Sequence, residues 1–190
     1  MPSSVIHLLV AKKINPNASI DFYIGNIAPD AVSNEQKAII HLRDVPEREI
    51  ALKDYIRKVS SKSEYMKGVI LHLFVDWKWD TLIIADFEKI HGENWSSVYG
   101  KAMITATLNA HHNTEWSYKL WEQMEQFCDT FNFLETEYIS KNDIKSFINN
   151  RRKWQTENKA ESPSLFSPNM IDEFVNDTAN DFNNWISNIL

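Results

Sequence analysis

Residues 65–90 read YMKGVILHLFVDWKWDTLIIADFEKI and form the most apolar long stretch of the chain. Their spacing, with Ser63 and Glu64 in front, predicts the central helix of the fold. His72, Asp76 and Asp80 follow one another at intervals of four, so a helix places them on roughly one face, with a drift of about forty degrees per step. Because their neighbours are mainly Leu, Phe and Trp, a carboxylate here is costly unless it is paired, hydrogen-bonded or bound to metal.

The rest of the chain also favours helices. Its 190 residues are enough for one domain with a full core and too few for two comfortable ones. Hydrophobic residues make up 43% of the sequence and only four glycines are present, while alternating strand-like runs bounded by turn residues are scarce. We therefore predict an all-α, single-domain helical bundle over residues 1–190.

The element boundaries follow from caps, prolines and apolar spacing. A loop or a broken short helix is predicted where Gly25 and Pro29 interrupt residues 20–31, and a second irregular stretch at 37–45. A polar surface loop is predicted before the closing helix, at residues 155–168. The predicted helices cover residues 4–14, 46–60, 65–90, 96–127, 142–154 and 169–190.

Composition limits the chemistry. A single cysteine, Cys128, excludes an internal disulfide and a cysteine-based zinc knuckle, so a metal here must use histidine and carboxylate ligands. The net charge of −6 disfavours nucleic acid as a partner. The N-terminal residues do not read as a signal peptide, and no run approaches the roughly 18 apolar residues of a membrane span. We expect a cytoplasmic protein without a transmembrane segment.

Three more polar residues lie in apolar surroundings on separate early segments. His7 occurs in VIHLLV, Asp30 in NIAPDAV and His41 in AIIHLRD. An isolated His/Asp pair such as His72 and Asp76 is more often a hydrogen-bonded pair in a core than a metal site. The repetition of the pattern shifts the interpretation towards metal ligands that converge from several elements.

The order of these residues resembles a known family. His7, then GNIAPD (25–30), IIHLRD (39–44) and GVILHLFVDWKW (68–79), is similar to the zinc-dependent phospholipase C family, which is related to fungal single-strand nucleases. The resemblance covers roughly the first half of the chain. It implies that Asp30, His41 and His72 hold one metal, that Asp76 bridges to a second, and that His7 binds the second. In secreted members the free amino terminus completes that site; whether Pro2 does so here, after removal of Met1, stays open.

The resemblance also implies a third metal. His111 and Glu115, at i and i+4, fit its His-x-x-x-Glu pair, a spacing that lets two side chains share one ion. The remaining ligand departs from the pattern, because Asp80 stands where many relatives have histidine; it can still ligate, with a weaker preference for zinc. His112 is interpreted as facing either solvent or the residues behind the ligands, and His91 as a histidine near a helix end rather than a ligand.

The resulting hypothesis is a metal-dependent phosphoric ester hydrolase, a phosphodiesterase or phospholipase C-like enzyme. Zinc or other divalent ions are the expected cofactors. Two ions are predicted at the shared centre, and the resemblance adds a third beside them. A hydroxide bridged near Asp76 attacks phosphorus, Asp30 orients or deprotonates it, and the ion near His111 and Glu115 neutralises the leaving group. The expected substrate is a small phosphodiester or a lipid headgroup.

The sequence bears on two alternative functions. Phosphohydrolases with a His-Asp doublet are disfavoured, because no His-Asp dipeptide occurs in the chain. A non-catalytic helical metal-binding or interaction protein with a degenerate site stays open, and the departure at Asp80 favours it.

Overall fold

The computed structural model describes residues 1–59, 63–130, 139–160 and 164–189. Within these ranges the chain is all-helical, with no strand, which confirms the predicted fold class. The α-helices are α1 (Ser4–Ile14), α2 (Ile20–Ile27), α3 (Asn34–Ile40), α4 (Arg48–Lys58), α5 (Glu64–Trp79), α6 (Ala85–His91), α7 (Trp95–His112), α8 (Glu115–Thr130), α9 (Lys141–Glu157) and α10 (Pro168–Ser187). Short 3₁₀ turns cover Ala28–Ala31 and Gly92–Asn94.

The predicted central helix is present as α5, but it is shorter than expected. It begins after Ser63, whose hydroxyl accepts a hydrogen bond from the Met66 amide at 3.1 Å, as an N-cap serine does. It ends at Trp79, and a π-helical turn at Asp80–Ile84 joins it to α6. The segment predicted as a helix over 65–90 is thus helical throughout, but the π turn interrupts its α-helical repeat after Trp79.

Helices α2 and α5 cross at two glycines. A Cβ added to Gly25 would lie 1.9 Å from the carbonyl oxygen of Tyr65, and one added to Gly68 would lie 2.1 Å from that of Phe22. Only a hydrogen atom fits at either position. This close approach brings the segment that ends in Asp30 against the helix that carries His72.

One continuous cluster of buried apolar side chains extends from α1 to α10. Trp79, Trp121 and Phe74 are among its largest fully buried members, and α10 packs along α1. Trp79 and Trp121 therefore serve the core. In the part of the chain that the structure describes, none of the helices combines the length and the apolar content needed to cross a membrane.

Other boundaries agree with the sequence in part. The helix at 4–14 and the broken helix at 20–31 are confirmed, but residues 37–45 begin with the last turn of α3 rather than an irregular stretch. The helix predicted over 96–127 is two helices, separated by Asn113 and Thr114.

The predicted surface loop at 155–168 begins too early. Helix α9 continues to Glu157, and Gln155 in its last turn is buried. Residues 161–163 of the predicted loop, and the predicted helix ends at Ser60 and Leu190, lie outside the described residues.

Candidate metal centre

Five side chains from the first half of the chain converge inside the bundle. They are supplied by α1, the first 3₁₀ turn, the residue after α3, and α5. Four have no exposed surface and the fifth, Asp30, is 8% exposed. They are His7, Asp30, His41, His72 and Asp76.

Asp76 lies between the histidines. Its Oδ1 is 3.4 Å from His7 Nε2, while its Oδ2 is 3.6 Å from His41 Nε2 and 3.7 Å from His72 Nε2. Asp30 Oδ1 lies 3.6 Å from the same His41 nitrogen. The two oxygens of Asp76 therefore face different histidines.

The imidazoles of His41 and His72 are oriented by the backbone. Nδ1 of His72 lies 2.7 Å from the Asn26 carbonyl oxygen, and Nδ1 of His41 lies 2.7 Å from that of Lys37. A carbonyl oxygen only accepts hydrogen bonds, so each Nδ1 carries the proton and each Nε2 presents a lone pair to the cluster. Metal-binding histidines are commonly held in this way.

The inward-facing atoms of the cluster make no hydrogen bond within the described part of the chain. Nε2 of His7, His41 and His72 and both oxygens of Asp76 are buried without a hydrogen-bond partner there. Buried polar atoms are rarely left so, because an unmet hydrogen bond costs about 1–3 kcal/mol. A cation bound among them would give these buried atoms a partner.

The spacing of the cluster also fits a metal. Separations of 3.4–3.7 Å are long for hydrogen bonds. They are near the separation of about 3.3 Å between two ligand atoms in a tetrahedral zinc site with bonds of about 2.0 Å. Two triads, His7–Asp30–His72 and His41–His72–Asp76, have ligand atoms within 4.8 Å of one another. The cluster fits a divalent metal ion, whose identity the donors leave open.

The charge states suit ligation. Burial lowers the pKa of His72 to about 3, so its ring is neutral at pH 7. Burial alone would raise the pKa of Asp76, but contacts with His7, His72 and His41 hold that pKa below its usual range. The pKa of Asp30 is likewise held down by His41 against the effect of burial. Both carboxylates are ionised.

Ser4 holds the more exposed carboxylate. Its hydroxyl donates a hydrogen bond to Asp30 Oδ2 at 3.1 Å, leaving Oδ1 to face His41. Ser4→Ala should lower metal affinity about tenfold, because partners behind a metal ligand are worth about 10–100-fold in affinity. Titration against a fluorescent chelator measures this change.

Ser3→Ala is the matched control for that variant. The Ser3 hydroxyl, one residue earlier, is buried without a hydrogen-bond partner in the described ranges, so its loss should leave metal affinity unchanged. Equal affinities of Ser4→Ala and wild type would show that Ser4 does not support the centre.

Asp80 does not join the cluster. It lies on the same side of the helix as Asp76, as predicted, but its oxygens accept hydrogen bonds from Arg43 at 2.5 and 2.6 Å and from Arg48 at 2.7 Å. The N-terminal amine is 3.7 Å away. The structure thus places the predicted ligand Asp80 in an ion-pair network beside the metal centre rather than in either triad.

Arg43 and Arg48 hold this network together, and neither was predicted as a site residue. Nη2 of Arg48 is also 3.7 Å from Asp76 Oδ2. Arg43 follows Leu42, whose φ of 53° is a left-handed conformation that costs a non-glycine residue about 1–2 kcal/mol. This turn directs His41 towards Asp76 and Arg43 towards Asp80. The HLRD tetrapeptide was the available signal for Arg43; Arg48 had none.

His111 and Glu115 do not share a helix. Helix α7 ends at His112 and α8 begins at Glu115, so the predicted i, i+4 geometry is wrong. Asn113 and Thr114, both helix-weak residues, separate them. His111 and Glu115 line a surface groove with Trp116, Tyr118 and Arg152. Neither His111 nor Glu115 belongs to a described cluster of three metal-binding side chains.

His111 is nevertheless buried, with Nδ1 2.7 Å from the Ser117 hydroxyl. Burial lowers the pKa of His111 to about 4, from an ordinary value of 6.5. Its neutral form therefore stabilises the fold above pH 6.5, and this contribution is lost as the pH falls from 6.5 through 4.

We expect His111→Gln to flatten the fall in the free energy of unfolding between pH 6.5 and 4, measured by urea denaturation. His91→Gln, at the end of α6, is the control and should keep the wild-type profile. A His111→Gln profile that parallels wild type over this range would contradict the expectation.

Comparisons with known proteins add no assignment. No family model matches the chain, and neither the curated proteins nor the solved structures contain a match.

Proposed function

We propose that the protein is a metal-dependent phosphoric ester hydrolase, of phosphodiesterase or phospholipase C-like type, with a two-metal centre bridged by Asp76. The observation that carries the proposal is the position of Asp76, whose Oδ1 faces His7 and whose Oδ2 faces His41 and His72. A carboxylate shared in this way would bridge two ions. Divalent ions at such a centre lower the pKa of coordinated water and neutralise charge on a phosphoester.

The chain's own residues then have separate tasks. The histidines would hold the ions through Nε2, and backbone carbonyls fix two of their rings. Asp30 is the partly exposed member of the cluster and borders a cavity. Its depressed pKa makes it a poor proton acceptor, so its role is to bind and orient.

The leaving group is not assigned to a third ion. The resemblance places that ion at His111 and Glu115, and the structure puts these residues on separate helices. Arg48 lies beside the centre, with Nη2 3.7 Å from Asp76 Oδ2, and supplies positive charge there. The proposal therefore rests on the Asp76 cluster alone.

A non-catalytic metal-binding protein is the second candidate. The observation in its favour is the closure of the centre, since His7, His41, His72 and Asp76 have no exposed surface. A structural metal site is closed in this way, whereas a catalytic one keeps an open position.

Metal analysis and one assay separate these functions. The purified chain, loaded with Zn²⁺ or Mn²⁺ and dialysed, should retain the metal by mass spectrometry and release nitrophenolate from bis(4-nitrophenyl) phosphate or 4-nitrophenyl phosphate. Retained metal without turnover of either ester would favour the non-catalytic function. A chain that retains no metal would overturn both.

A further inference from the structure

A cavity of about 440 Å³ opens over Asp30. The start of α1, α3, α7 and α9 surround it, and α9 packs directly against the 3₁₀ turn that carries Asp30. Of the five clustered side chains, Asp30 is the one that borders the cavity. A molecule that approaches the metal centre from this cavity therefore meets Asp30 first.

The charge of the cavity is opposite to that of the chain. The protein has 20 basic and 26 acidic residues. Among the described residues that line the cavity, the charged side chains are two cations, Lys37 and Arg151, and one carboxylate, Asp30. That carboxylate belongs to the metal cluster. The charge left for a ligand is positive, which favours an anion.

Both cationic residues make a further contact beside the cavity. The carbonyl of Lys37 accepts the hydrogen bond that orients His41, so the residue that fixes a metal ligand also supplies an ammonium group to the cavity. Arg151 is stacked over the Phe147 ring at 5.2 Å, a cation–π contact that restrains its guanidinium along α9.

The far wall supplies one polar group among apolar ones. Gln155 is 1% exposed, and its Oε1 is buried without a hydrogen-bond partner in the described chain. Trp154, Met103 and Ile104 lie beside it. An unmet buried acceptor at the edge of a cavity is satisfied by a donor on a ligand.

We propose that this cavity is the substrate cleft, and that it selects a small phosphate ester whose alcohol carries a hydroxyl group. Lys37 and Arg151 bind the phosphate oxygens that do not react, and Gln155 accepts a hydrogen bond from the hydroxyl. The cavity volume lies within the range of about 300–1,000 Å³ for small-molecule sites. The catalytic role of this cleft rests on the proposed function, but the binding of phosphate to the cleft can be measured separately.

Inorganic phosphate is the first probe, titrated calorimetrically into the chain as purified and after metal loading. Lys37→Gln and Arg151→Gln should each weaken phosphate binding about tenfold, since a hydrogen bond to a charged group is worth roughly that factor. Lys153→Gln removes an exposed charge of the same helix as Arg151, and should change affinity less than twofold. Metal content should be unaltered in all three.

Two non-hydrolysable ligands test Gln155. Wild type should bind 2-hydroxyethylphosphonate several-fold more tightly than ethylphosphonate, and Gln155→Leu should bind both equally. Circular dichroism verifies that this buried variant is folded; if it is not, the wild-type preference between the two ligands decides. A wild type without that preference would overturn the role of Gln155.

The outcomes separate this proposal from the proposed function. A chain that hydrolyses phosphoesters while Lys37→Gln and Arg151→Gln bind phosphate like wild type would overturn the cleft alone. A chain that binds phosphate through both residues and hydrolyses nothing would overturn the hydrolase alone. Absence of phosphate binding by wild type would overturn the cleft.

Discussion

Asp76→Asn should remove bound metal and phosphoesterase activity together. The substitution keeps the shape of the side chain but replaces a buried carboxylate, which faces three histidines, with a neutral amide. Because even partners behind a ligand are worth about 10–100-fold in affinity, we expect loss of the bridging ligand to cost more than about a hundredfold. Mass spectrometry of the dialysed protein and the nitrophenyl phosphate assay measure the two losses.

Asp86→Asn is the control for Asp76→Asn. Asp86 lies exposed on α6, so its neutralisation changes net charge equally without touching the centre, and metal content and activity should match wild type. Circular dichroism verifies that both variants are helical. Folded Asp76→Asn protein with wild-type metal content or turnover would contradict the bridging role.

Gly68→Ala should destabilise the protein by more than about 3 kcal/mol. Its Cβ would lie 2.1 Å from the Phe22 carbonyl oxygen and 2.7 Å from the Asn26 amide nitrogen. Backbone cannot yield as a side chain does, so α2 and α5 must separate, and overpacking of this kind reaches or exceeds the usual cost of about 1–3 kcal/mol. Thermal and urea denaturation measure the loss, and metal affinity should fall as well because the Asn26 carbonyl orients His72.

Gly100→Ala is the matched control for Gly68→Ala. Gly100 lies within α7, and a Cβ there would have no atom within 4 Å. The substitution should stabilise the protein by about 0.5–1 kcal/mol, the usual gain from replacing a helical glycine. A Gly68→Ala variant as stable as wild type would show that the helices do not cross as closely as described.

Local patterns made part of the fold predictable. Ser63 identifies the start of α5, and the four-residue interval of His72 and Asp76 places both on one face because helical geometry is fixed. The glycines of the α2–α5 crossing carry no such information. Gly25 and Gly68 are 43 positions apart, and their contact exists only once the helices pack.

The candidate site was predictable where apolar neighbours surround a polar residue, as at His7 and His41. It was not predictable where a partner comes from elsewhere in the chain. Asp80 has the spacing of a ligand, but it accepts hydrogen bonds from Arg43 and Arg48 of the α3–α4 region. His111 and Glu115 also have the spacing of ligands, but the two residues between α7 and α8 interrupt the helix that this spacing requires.

The π turn at Asp80–Ile84 lets this helical segment change its length by one residue without changing its direction. A π turn holds one more residue than an α turn, and Leu82 within it is exposed. Deleting Leu82 would restore the ordinary α-helical repeat and leave the register of α6 in place. Phe87, 7% exposed, would then stay in the core. A single-residue deletion here should therefore be tolerated far better than one within α5, where it would rotate everything that follows by about 100°.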